Sequence, residues 1–193
     1  MTTQDILAAC NTAGYSSRFR RWLGFCLKWE CVADKHGQII QEKLGDGAGT
    51  TFAGLTSRDD GYAPEIATPI WVAYQFREKY WIKSQAEALP MPVGEVVANY
   101  SLNCGNGRAA KFLQSALVDY GAGTMSRGGV EVDGIIGPKT LAAAWRVPTS
   151  QELALGIIAK GSSYYRAIAS GGKEQFLAGW LNRNADLRAT FCA

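Results

Sequence analysis

Apolar residues recur at helical spacing through most of the chain. Ala109, Leu113 and Ala116 follow one another at intervals of four and three, and Leu153 and Ile157 lie four apart. Such spacing places apolar side chains on one side of a helix, so it predicts amphipathic helices packed around a common core. The predicted helices are 16–30, 68–80, 93–102, 108–120, 138–146, 150–169 and 173–188.

The second quarter of the chain lacks this spacing and predicts β structure or loop. Residues 34–44 indicate a β-hairpin with Gly37 near its turn. Residues 121–129 hold four glycines and are expected to be the most flexible stretch. The predicted fold class is therefore mainly α, with a small β-hairpin and loop region after the first long helix.

Length and composition favour a folded globular protein. The chain has 193 residues and 47% hydrophobic content, enough for one compact domain or two closely packed subdomains. The net charge of +3 comes from dispersed basic residues, which argues against nucleic-acid binding. We expect no membrane span, because no apolar stretch is long enough, and no ordinary secretory signal at the N-terminus.

The cysteine and histidine content limits the chemistry. The five cysteines show no Cys-x-x-Cys spacing and His36 is the single histidine, so a zinc site is not expected and no cofactor is implied. Cys26 and Cys31 are candidate thiol nucleophiles, but neither has an evident basic partner. Free, buried thiols are the preferred interpretation.

Glu30 is the leading catalytic candidate and ends the first long predicted helix. Counting back at helical spacing reaches Cys26, Leu23 and Phe19, whereas Arg21 projects from the opposite side. Partial burial among apolar side chains disfavours an ionised carboxylate, so Glu30 is predicted to hold a proton near neutral pH and to donate it. The alternative is that Glu30 ends the helix and turns into solvent.

Asp46 and Thr51 lie in a glycine-rich segment that follows this helix. The glycines permit tight turns and close approach of a ligand, so the carboxylate and the hydroxyl can converge. Together they could activate a water on one face of a sugar ring while Glu30 protonates the leaving oxygen, the geometry of an inverting glycosidase. In the alternative, Asp46 makes an Asx-turn in a surface hairpin and Thr51 is incidental.

The order of these residues resembles the glycoside hydrolase family 108 muramidases. An acid at a helix end precedes Asp46-x4-Thr51 and then Gly54-x-Thr56. Cys31, Val32 and Ala33 replace the two glycines and aromatic residue usual in the family, and the segment before Asp46 is longer. Further agreements are Trp81 before ALP at 88–90, NCG at 103–105, RAAKFLQ at 108–114, VDGIIGPKT at 132–140 and FLAGWLNR at 176–183.

The resemblance implies a lysozyme-like helical fold and hydrolysis of the β-1,4 bond between N-acetylmuramic acid and N-acetylglucosamine. It places a muramidase catalytic region at 1–102 and a peptidoglycan-binding-like helical region at 103–193, packed with the first as one compact unit. The implied partners are peptidoglycan glycan strands and an inhibitor or immunity protein, and a monomer is expected. Action in the periplasm or cell wall would require phage-type lysis, as for an endolysin, or a specialised secretion system, as for an antibacterial effector.

Two further residues are candidates for substrate binding. Tyr62 follows a loop that carries Asp59 and Asp60, close in sequence to the proposed site, and could contact a glycan, although a plain surface tyrosine is the alternative. Asn103 lies between two predicted helices, where it could cap the second helix or hydrogen-bond an N-acetyl group. Two other functions remain open: a lytic transglycosylase in which Glu30 is both acid and base, and a non-catalytic wall-binding protein on the same scaffold.

Overall fold

The computed structural model describes residues 1–43, 50–61, 63, 65–122 and 129–193, with the backbone alone at 58, 59 and 122. These residues form two compact units, Met1–Lys79 and Tyr80–Ala193. The fold is mainly helical with a small three-stranded sheet, as the apolar spacing predicts. The predicted boundary between residues 102 and 103 divides the chain by function and not by compactness, and it stays a prediction.

The first unit is built on two consecutive helices. Helix α1 (Thr3–Thr12) begins with a capping box in which Thr2 and Asp5 bond to each other's backbone N–H groups. The apolar pattern does not reveal α1, because Ile6 and Cys10 are the residues that it buries. The helices of this unit are α1 (Thr3–Thr12), α2 (Ser17–Glu30), α3 (Ser57–Asp60) and α4 (Pro69–Phe76).

Helix α2 presents one apolar face to the core of this unit. The Ser16 hydroxyl caps the helix by accepting a hydrogen bond from the Phe19 N–H. Phe19, Leu23 and Cys26 are almost completely buried, and Arg21 is exposed, so the predicted orientation of the helix is confirmed. The ring of Trp22 packs edge-on against Phe76 of α4, with centroids 6.3 Å apart.

A short antiparallel sheet follows α2. Its strands are β1 (Glu42–Lys43), β2 (Thr50–Phe52) and β3 (Leu55–Thr56), in the order β1-β2-β3. Before β1 the chain reverses between Ala33 and Ile39, which form an antiparallel bridge, and Gly37 occupies this turn with a φ of 75°. The predicted turn at Gly37 is therefore confirmed, but the hairpin predicted over 34–44 is reduced to this one bridge, because Glu42–Lys43 pairs with β2.

The second unit surrounds a central helix. In helix α5 (Val93–Cys104) every residue from Val93 to Ser101 is buried, and three other helices of this unit pack on it. The predicted helices 138–146 and 150–169 are confirmed at both ends, and Pro138 begins α7 as expected. The others in this unit are α6 (Asn106–Leu117), α7 (Pro138–Arg146), α8 (Ser150–Ala169) and α9 (Glu174–Phe191).

Short non-α turns complete the described chain. A π-helical turn, Arg77–Ile82, follows α4, and another, Val118–Ala122, follows α6, so two predicted helices continue with altered geometry. A 3₁₀ turn, Ala86–Ala88, precedes α5. Across the residues that the structure describes, every helix is too short or too polar to span a membrane.

A close contact in the second unit joins α5 to α8 at Gly161. The Tyr100 ring lies so close to this glycine that a Cβ there would be 2.2 Å from the ring. The Tyr100 hydroxyl donates a hydrogen bond of 3.0 Å to Asn184 Oδ1, which connects α5 to α9 as well. Tyr100 therefore joins three helices, and its ring can occupy this position only because residue 161 has no side chain.

We predict that Gly161→Ala destabilises the protein by about 3 kcal/mol, because the methyl group and the Tyr100 ring cannot occupy the same space. Gly179→Ala is the matched control, since it lies in α9 and a Cβ there meets no atom within 4 Å. It should stabilise by about 0.5–1 kcal/mol through helix propensity. Urea unfolding measures both, and equal effects would contradict the packing at Gly161.

Candidate functional site

The candidate site lies at the C-terminal end of α2. Glu30 is the last residue of this helix, and Cys31 turns into extended backbone with φ −96° and ψ 128° while its N–H still bonds the Leu27 carbonyl at 3.0 Å. The Glu30 side chain is half-buried. The helix thus ends where it delivers one carboxyl group to the edge of the apolar face formed by Cys26 and Leu23.

The turn between β2 and β3 lies directly against Glu30. Phe52 and Leu55 pair across a two-residue turn in which Ala53 and Gly54 have φ values of 52° and 78°. A Cβ on Gly54 would lie 2.8 Å from the Glu30 Cβ and 3.3 Å from Oε2. The glycine is therefore required twice, for the positive φ and for the contact along the Glu30 side chain.

Thr51 lies on the strand that leads into this turn. It is three residues before Gly54, and three residues of extended chain span at most about 11 Å. Its hydroxyl donates a hydrogen bond of 3.2 Å to the Leu55 carbonyl. Because the hydroxyl hydrogen is used in this way, the oxygen keeps its lone pairs for another donor, such as a water.

Glu42 is a carboxylate near Thr51 that the sequence pattern did not single out. The two residues are directly opposite each other in the β1–β2 ladder, and the Glu42 side chain is exposed. Residues in such a pair project to the same face of a sheet with Cβ atoms about 4.5–5.5 Å apart. In the sequence Glu42 is one of several charges in a polar segment, and only the register reveals its position.

Asp60 is a second residue that sequence reasoning missed. Its carboxylate accepts a 2.6 Å hydrogen bond from the Thr56 N–H and forms an ion pair of 2.6 Å with Lys79. The Asp60 side chain is only 8% exposed. It therefore anchors the end of β3, and through the hairpin it helps to fix the turn that contacts Glu30.

Cys31, next to Glu30, is not an activated thiol. Burial raises its pKa to about 12, and the nearby Glu30 charge adds to the shift. A thiol with this pKa is protonated at neutral pH and is a weak nucleophile. The structure contains no disulfide among the five cysteines, all of which lie in its described ranges. The site therefore favours carboxyl chemistry over thiol chemistry.

Three other residues are candidates from the sequence. Asp46 and Tyr62 fall outside the described residues, so their predicted roles stay predictions. Asn103 is exposed inside α5, and its amide donates a 2.7 Å hydrogen bond to the Asn99 carbonyl. The proposed capping role is wrong, because α6 begins after Gly105 without a side-chain cap. Contact of Asn103 with an N-acetyl group stays a prediction.

Comparison with known proteins links the chain to peptidoglycan. Residues 108–185 match the family described as a predicted peptidoglycan domain. Among solved structures, the fold is similar to Brucella abortus SagA, with a TM-score of 0.66 and 23% identity over 89% of this chain and 91% of that one. No curated protein matches. The family match associates the chain with peptidoglycan, and the structural match agrees with a lysozyme-like helical fold.

We predict that Gly54→Ala destabilises the protein by at least about 1 kcal/mol more than Gly37→Ala. Both glycines have positive φ, 78° and 75°, so alanine adds similar backbone strain at each. Only at Gly54 does the new Cβ meet Glu30, whereas no atom lies within 4 Å of it at Gly37. Denaturant unfolding of the two variants measures the difference, and identical losses would argue against the contact.

Proposed function

We propose that the chain is a peptidoglycan hydrolase that cleaves the β-1,4 bond between N-acetylmuramic acid and N-acetylglucosamine, with Glu30 as the general acid. The observation that carries this proposal is the contact of the half-buried Glu30 with the turn at Gly54. The contact holds one carboxyl beside the hairpin that bears Thr51. The association of residues 108–185 with peptidoglycan supports the choice of substrate.

In this mechanism Glu30 gives its proton to the glycosidic oxygen as the bond from that oxygen to the anomeric carbon breaks. Positive charge develops on the sugar ring, and a water attacks the anomeric carbon from the opposite face. Asp46 takes one proton of that water. Exchange with solvent then returns Glu30 to its acid form and Asp46 to its carboxylate.

Thr51 has the role of positioning this water. Its hydroxyl donates to the Leu55 carbonyl, so the Thr51 oxygen can accept a hydrogen bond from the water proton that Asp46 does not take. Thr51 would thereby orient the water without exchanging a proton itself. The pairing of Thr51 with β1 and β3 keeps the oxygen in place, because both neighbouring strands restrict its backbone.

The same contact supports a second candidate, a lytic transglycosylase. That reaction needs one carboxyl, which first protonates the leaving oxygen and then accepts a proton from a hydroxyl of the muramic acid, so that an anhydro ring closes. In this candidate Glu30 is the carboxyl proposed for both steps. Mass spectrometry of the released muropeptides distinguishes the reactions, because hydrolysis adds a water to the product and ring closure does not.

We predict that Glu30→Gln lowers the release of soluble muropeptides from purified peptidoglycan by about 10²–10⁴-fold, because the amide cannot act as an acid. Cys31→Ala is the control, since it alters the next residue and should keep activity within about threefold. Circular dichroism should show both variants folded. Full activity of Glu30→Gln, or an inactive parent chain, would refute the catalytic proposal and favour a non-catalytic wall-binding protein.

We predict that Asp46→Asn slows hydrolysis by about 10²-fold or more, whereas Glu42→Gln keeps most of the activity. Asp46 is near Thr51 in the chain, and Glu42 is opposite Thr51 in the sheet. Each substitution neutralises one carboxylate, so the two form a matched pair. The measurement is kcat on purified peptidoglycan. If Glu42→Gln is the damaging change and Asp46→Asn is harmless, the assignment of the water-activating group is wrong.

A further inference from the structure

A turn held by several hydrogen bonds lies between α6 and α7. It comprises residues 132–137 and presents Ile135 with 69% of its surface exposed and Val132 with 42% exposed. Single exposed apolar residues are common, but Ile135 also lines a cavity and is therefore part of a larger surface feature. We call this segment the 132–137 turn.

Gln114 of α6 fixes the 132–137 turn in place. Its Nε2 donates hydrogen bonds to Asp133 Oδ1 at 2.7 Å and to the Ile135 carbonyl at 3.0 Å, and its Oε1 accepts one of 2.8 Å from the Gly134 N–H. Gln114 itself is 1% exposed. A buried amide that uses both ends on one turn gives that turn a defined conformation.

Asp133 and Gly134 add to this restraint. Hydrogen bonds from Gln114 and from the Ile135 N–H hold the pKa of Asp133 below its usual value, so its carboxylate stays ionised and bonded at neutral pH. Gly134 has a φ of 87°, and a Cβ there would lie 3.1 Å from the Gly107 carbonyl. The exposed Ile135 is therefore held at a fixed place above α6.

A cavity of about 470 Å³ opens beside the 132–137 turn. This volume is within the usual range for small-ligand sites. Its apolar part includes Ile135 and the buried Val130, and its charged groups include Glu131 and Lys139. Both of these charged residues are exposed and have no ion-pair partner among the residues that the structure describes.

The lining indicates which part of peptidoglycan fits. A pyranose ring is usually bound by stacking on an aromatic face, and no aromatic side chain occurs among the described residues that line the cavity. A short peptide with methyl side chains, a free ammonium and a free carboxylate matches this lining. The methyl groups fit Val130 and Ile135, the ammonium fits Glu131, and the carboxylate fits Lys139. The stem peptide of peptidoglycan has this chemistry.

We propose that this cavity binds the peptide stem of peptidoglycan. A small apolar residue of the stem packs on Ile135 and Val130, an ammonium group pairs with Glu131, and a carboxylate pairs with Lys139. The match of residues 108–185 to a peptidoglycan domain covers every residue of the cavity. This inference rests on the proposed function for its substrate, but it needs no catalysis by Glu30.

The test measures binding of a soluble stem tetrapeptide that contains a diamino acid to the full chain carrying Glu30→Gln. Calorimetry and NMR chemical shifts report the affinity and the residues that respond. Lys139→Met and Ile135→Ser should each weaken binding by about tenfold, since a charge-assisted contact or an apolar contact is lost. Arg146→Met removes a positive charge from the other end of α7 and should leave the affinity unchanged.

A second comparison identifies the ligand. The same protein should sediment with intact purified peptidoglycan and about tenfold less well with glycan strands whose stems have been removed by an amidase. Equal retention on stripped strands, no binding of the tetrapeptide, or equal loss in Arg146→Met would overturn the inference. Stem binding without cleavage by the parent chain would refute the catalytic proposal alone, whereas cleavage without stem binding would refute this one alone.

Discussion

The contact between the Glu30 side chain and the backbone at Gly54 is the constraint on which the candidate site depends. Helix α2 can end with a carboxyl group in many orientations, and the hairpin removes most of them by lying against its Cβ, Cγ and Oε2. The turn can approach this closely because residue 54 has no side chain. One missing methyl group thus permits the arrangement of the acid beside the strand of Thr51.

This constraint is supported from outside the immediate contact. Asp60 fixes the end of β3 through the Thr56 N–H and is itself held by Lys79, so the hairpin is anchored at the end opposite its turn. The buried face of α2 fixes the helix from the other side, with Trp22 packed on Phe76. Catalytic groups act only within narrow limits of position, so in the proposed mechanism this anchoring would hold Glu30 where the reaction needs it.

Much of the helical fold follows from the sequence, because most of these helices bury a continuous apolar face. Helices 138–146 and 150–169 are predicted to the residue, since Pro138 marks the start of the first and Pro148 lies just before the second. Helix α1 is missed because it buries few apolar side chains. The site is only partly predictable: the helical face of Glu30 can be counted, but its contact with Gly54 joins residues that are far apart in the sequence. The roles of Glu42, Asp60 and Gln114 depend on register and on tertiary hydrogen bonds, which leave no local pattern.

The most direct test of the link between this geometry and function is the rate of peptidoglycan cleavage by Gly54→Ala relative to Gly37→Ala, measured where both variants are fully folded. Neither change alters a carboxyl group, and only the first displaces Glu30. A displacement of about 1 Å at a catalytic group can reduce the rate by about 10²-fold. We expect a loss of that size for Gly54→Ala and little change for Gly37→Ala. Equal rates in the two variants would contradict the central role of Glu30 and its contact with the hairpin.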